Sequence, residues 1–69
     1  MKLIKLHAAE SYELHGNNYI YNIYHCQKSD LYELNRDEMP MIYIASFKTL
    51  KDAITVAECI EQLSVKEEL

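Results

Sequence analysis

MIYIASFKTLKDAITVAECIEQL, residues 41–63, reads as a strand running straight into an amphipathic helix. Its first seven residues, Met41 to Phe47, are rich in β-formers, and Pro40 bounds them on the N-terminal side. Both faces of this strand are largely apolar, which predicts a central position or packing on both sides. From Thr49 onward the period changes. Leu50, Ala53, Ile54, Ala57, Ile60 and Leu63 recur at intervals of three and four, one face of an α-helix. Lys51, Asp52, Thr55, Glu58, Glu61 and Gln62 fall mostly on the other face. Thr49 is placed to cap the helix, and Asp52 puts negative charge in its first turn, where the helix dipole favours it.

Upstream of Met41, Pro40 offers no N–H to a ladder and pushes Met39 into an extended conformation. Residues 35–40 therefore read as a loop. Further back, His15-Gly16-Asn17-Asn18 is a turn signal between two β-prone segments. One is Lys2 to Leu14, interrupted near Ala9-Glu10; the other is Tyr19 to Cys26. A two-residue turn at Gly16-Asn17 would set Leu14 opposite Tyr19 and Tyr12 opposite Tyr21. A second turn at Lys28-Ser29-Asp30 leads into a short strand, Leu31 to Leu34.

The expectation is an α+β fold: a small antiparallel sheet of three or four strands, with one C-terminal amphipathic helix packed on one face. A single domain over residues 1–69 would hold a hairpin at about 2–27, strands at about 31–34 and 41–47, and a helix at about 49–64. A chain of 69 residues buries only ~60% of its unfolded surface, so a lean core or a second chain is expected to help it.

Charge is uneven. Residues 1–28 carry Lys2, Lys5 and Lys28 against Glu10 and Glu13, while residues 29–69 carry four basic and nine acidic side chains. The net charge of −4, with no basic stripe, argues against nucleic acid as a partner. No segment reaches the ~20 apolar residues of a membrane span. Lys5 and His7 break the apolar start that a signal peptide would need, so a cytoplasmic location is expected. Cys26 and Cys59 are too few for a disulfide framework and are expected as small buried thiols.

Catalytic signals are absent from the sequence. There is no Gly-rich phosphate loop, nucleophile elbow or H-E-x-x-H. His7, His15, His25, Cys26 and Cys59 lack metal-ligand spacing. The expectation is a non-enzyme with neither cofactor nor metal. Six tyrosines stand out instead. Side chains alternate across a strand, so Tyr19 and Tyr21 share one face and Tyr24 lies on the other. One helix cannot cover all of them, and tyrosine suits interfaces because it joins a large ring to a polar tip. Tyr12, Tyr19, Tyr21, Tyr24 and Tyr32 are therefore candidate contact residues. Asp30, Glu33, Asp37 and Glu38 form an acidic run that would suit a basic protein surface, or, with Glu58 and Glu61, imitate a nucleic-acid backbone. The same residues also serve as an ordinary solvated surface.

The chain resembles very small proteins of phages and mobile elements in three features: its length, the opening Met1-Lys2-Leu3-Ile4-Lys5, and the passage Phe47-Lys48-Thr49-Leu50-Lys51-Asp52-Ala53. These include anti-CRISPR proteins and other inhibitors of host enzymes. The resemblance implies a regulator that binds a host protein, such as a nucleic-acid enzyme or defence complex, stoichiometrically. A second resemblance is to three-stranded-sheet-plus-helix DNA-binding modules such as the arm-binding domains of phage integrases. Those place basic residues on the open sheet, where these strands carry Tyr, Asn, Glu and Ile. A third expectation is a structural homo-oligomer, such as a homodimer, that buries the open face between copies.

Overall fold

The computed structural model describes residues 2–5 and 10–67, with backbone alone for residues 64–67. Five strands precede one helix: β1 (Lys2–Lys5), β2 (Ser11–His15), β3 (Ile20–Cys26), β4 (Leu31–Arg36), β5 (Ile42–Phe47) and α1 (Leu50–Glu67). They form one antiparallel meander in the order β1-β2-β3-β4-β5, with α1 across the β3–β5 part of one face. The fold class is α+β, as the periodicities imply. The strand count is five, not three or four. The segment from Lys2 to Leu14 folds back on itself, so that Leu3 pairs with Leu14. His7 falls outside the described residues.

Leu14, Tyr21, Ile23 and Leu34 form the buried sheet side of the core, and Ala53 and Ala57 meet them from the helix. Each large side chain removed from water contributes about 1.5–3 kcal/mol. The two alanines let the helix approach the sheet closely. Leu50, Ile54, Val56 and Ile60 flank them, half-buried. Thr49 caps α1, its Oγ1 accepting the Asp52 N–H at 3.1 Å.

The β2–β3 turn is centred on Asn17-Asn18, where the Gly16 N–H donates to the Tyr19 carbonyl at 2.9 Å. That is one residue later than expected, so each partner moves by two. Leu14 faces Tyr21, and Tyr12 faces Ile23. A shift of two keeps every side chain on its face, and Tyr19 and Tyr21 do lie on the helix side.

Strand β4 extends through Asn35 and Arg36, residues expected in the loop. Strand β5 sits at the sheet edge, contrary to its central-strand composition. Its pairing with β4 slips between Leu34 and Asn35: Leu34 faces Ala45, Asn35 faces Tyr43, and Ile44 is the extra residue of a bulge. The bulge puts Tyr43 and Ser46, three apart, on one face, where their hydroxyls meet at 2.7 Å. Cys59 is exposed and Cys26 half-buried, so neither is a core thiol. Among the described residues no helix is long and apolar enough to cross a membrane.

Candidate functional site

Three polar constellations and one apolar edge stand out. The first joins the end of α1 to the β2–β3 turn. Glu61 lies on the Ala53–Ala57 line of the helix, one turn further on, and is only 8% exposed. Its carboxylate accepts the Asn18 N–H at 2.8 Å, the Tyr19 N–H at 3.1 Å and the Tyr21 hydroxyl at 2.8 Å. Gly16 makes room: a Cβ there would stand 2.5 Å from Glu61 Cδ. Burial pushes the Glu61 carboxyl up, but the Asn18 N–H, the Tyr21 hydroxyl and the Asn17 and Tyr19 N–H groups outweigh it and hold the carboxyl below its ordinary range. Burial first, and then the bond to Glu61, drive the Tyr21 phenol well above its ordinary value.

The second lies at the opposite end of the sheet. His25 stacks on Tyr32 with ring centroids 4.5 Å apart. Its Nδ1 meets the Glu10 carboxylate and its Nε2 meets Asp30 Oδ1 at 2.9 Å. The His25 N–H also donates to the Glu10 carbonyl at 3.0 Å. Asp30 reaches the ring from a left-handed backbone conformation, φ 57°, which aspartate tolerates better than most residues. Two carboxylates on two ring nitrogens suit the imidazolium, in which both nitrogens donate. The hydrogen bond to Glu10, then that to Asp30, accordingly raises the His25 pKa. Nearby, the Ser29 side chain, with the Ser29 and Lys28 N–H groups, lowers the Cys26 thiol pKa.

The third is Arg36, whose guanidinium lies 4.4 Å from the Tyr19 ring centre and pairs with Glu38.

These contacts redistribute the expected binding residues. Tyr21 is fully buried, and Tyr12, Tyr19 and Tyr32 are half-buried against the core. Four of the five candidate tyrosines therefore serve the helix-covered side, and Tyr24 alone stands exposed on the open face. The acidic run is split. Asp30 lies in the β3–β4 turn, Glu33 on the open face opposite Tyr24 and Ser46, and Asp37 and Glu38 beyond the other end of β4. Glu61, grouped with them as a surface acid, is enclosed. Among the described residues no three His, Cys, Asp or Glu side chains are arranged to hold a metal ion.

The open face is mostly polar. Glu13, Asn22, Asn35 and Tyr43 make one row across it, and Ser11, Tyr24, Glu33 and Ser46 the next. Exposed apolar side chains are densest at the β5 edge, where Met39 is 99% exposed, Tyr43 60% and Met41 50%, with Ile42 exposed beside them; Leu3, Ile20, Tyr24 and Leu63 are exposed on other elements. Composition concealed this edge, because an apolar strand reads as an interior one. Glu61 had a signal, its four-residue spacing from Ala57, which its charge overrode.

No protein-family model matches the chain, and neither the curated proteins nor the solved structures contain a match to it.

Proposed function

We propose that the chain is a protein-binding regulator or inhibitor that acts stoichiometrically, and that β5 with the preceding Met39–Met41 segment is its contact surface. The observation that carries this reading is the gathering of Met39, Met41, Ile42 and Tyr43 at an open sheet edge. Exposed apolar side chains concentrated along one strand edge suit an interaction site, and methionine and tyrosine adapt well to a partner. An unpaired edge adds a row of backbone donors and acceptors.

The acidic balance adds selectivity for partners that tolerate or seek negative charge. The open face sets Lys2 and His15 against Glu13 and Glu33, which gives a phosphate backbone little to hold. A host protein as target, of the kind small phage and mobile-element inhibitors bind, fits the same surface.

The test is affinity capture from lysate of the source cell with tagged chain, beside a Met41→Ser/Tyr43→Ser variant. A stoichiometric partner that the variant loses is the expected result. Equal capture by both, or no partner for either, counts against the β5 surface as the contact.

A further inference from the structure

We propose that β5 pairs antiparallel with β5 of a second copy, joining two five-stranded sheets into one continuous sheet. This rests on the reading of the β5 side as a protein contact: the second copy takes the backbone edge and leaves the Tyr43 side chain on the open face for the target.

The two edges of the sheet are built differently. Strand β1 carries Lys2 and Lys5 in a strand of four residues, a common guard against edge pairing. Strand β5 is six residues long, and no charged residue occurs from Met39 to Phe47. A bulge at Ile44 is the one blunting device within it, and Pro40 stands outside. Its composition is that of an interior strand, and pairing with a second copy would make it one.

Charge selects the occupant. Asp37 lies just before β5, and Lys48 and Lys51 just after it; all three are exposed, while Glu38 is held by Arg36 of its own chain. In a two-fold antiparallel pair centred near Ile44 and Ala45, the N-terminal end of one β5 lies beside the C-terminal end of the other. Asp37 of each copy then lies at the same end of the joined sheet as Lys48 and Lys51 of its mate. A parallel pair would instead set acid beside acid. The pairing is isologous and closes on itself, as in most homodimers. Tyr43 would lie opposite Ser46 of the second copy, on the open face of both sheets.

The experiment is sedimentation velocity on the full chain between about 10 µM and about 1 mM. The expected species has twice the 8.1 kDa chain mass. Tyr43→Lys/Ser46→Lys sets lysines opposite one another and should return a monomer with an unchanged circular dichroism spectrum. Lys48→Glu should weaken association, and adding Asp37→Lys, which leaves the Arg36–Glu38 pair intact, should restore it; that rescue identifies the antiparallel arrangement independently of folding. A monomer throughout the range, or a dimer that both sets of variants leave intact, overturns the proposal. If the chain is monomeric but β5 variants still lose a captured partner, self-pairing fails and the protein-binding reading stands. If β5 variants affect neither association nor capture, both fail.

Discussion

The Glu61 carboxylate fills the space beside Gly16, with its Cδ 2.5 Å from where a Cβ of residue 16 would stand. Gly16 is not in the left-handed region, so its role is room, not backbone freedom. Gly16→Ala should push the carboxylate away from the Asn18 and Tyr19 N–H groups and cost about 1–3 kcal/mol. In a Glu61→Ala background the same change should cost much less. A double-mutant cycle by urea denaturation measures the coupling; additive costs would refute it.

The same carboxylate contributes to stability against acid. Its folded pKa lies below the ordinary value of 4.5. Its charged form therefore stabilises the fold above about pH 4.5, and that contribution is lost as pH falls through the depressed folded pKa. Glu61→Gln should lower stability at pH 7 and flatten the acid limb of a plot of unfolding free energy against pH. A parallel downward shift at every pH, with the limb unchanged, would show that Glu61 is not the titrating group.

His25 titrates in the opposite sense. Its folded pKa is raised above 6.5, by Glu10 first and Asp30 second. The contribution is complete below about pH 6.5 and disappears as pH rises through the folded value. NMR titration of the ring should give a midpoint above 6.5. Glu10→Gln should lower that midpoint more than Asp30→Asn. The reverse order would mean that the Asp30 contact is the tighter one.

Packing supplies a contrast along the chain. Ile23→Ala and Leu34→Ala empty fully buried sites and should each cost about 2–5 kcal/mol. Leu63→Ala removes a side chain that is 59% exposed, and thermal unfolding should register under about 0.5 kcal/mol.

Leu63 also shows where periodicity misleads. An interval of three from Ile60 put it on the apolar stripe, while the buried line continues at an interval of four from Ala57 to Glu61. Hydrophobicity selects the leucine and geometry selects the acid, because the β2–β3 turn presents N–H groups there and no apolar surface. The cap at Thr49, the helix, the antiparallel arrangement and the face of each tyrosine on β3 were legible, since each depends on local spacing. The break near Ala9-Glu10 was legible too, but the pairing of β1 with β2 was not, because no Gly, Pro or Asn marks a turn between them. The position of β5 at the edge was hidden for a related reason. Composition records how apolar a strand is, and the neighbours that cover it depend on distant pairing or on another molecule.

The contact between Glu61 and the Asn18 N–H spans 43 residues. During synthesis the β2–β3 hairpin emerges from the ribosome well before its acceptor does. Until residue 61 follows, the Asn18 and Tyr19 N–H groups lack the carboxylate that accepts them. The carboxylate clamp on this turn therefore waits for the C-terminal half of α1, and so for β4 and β5, which are synthesised in between.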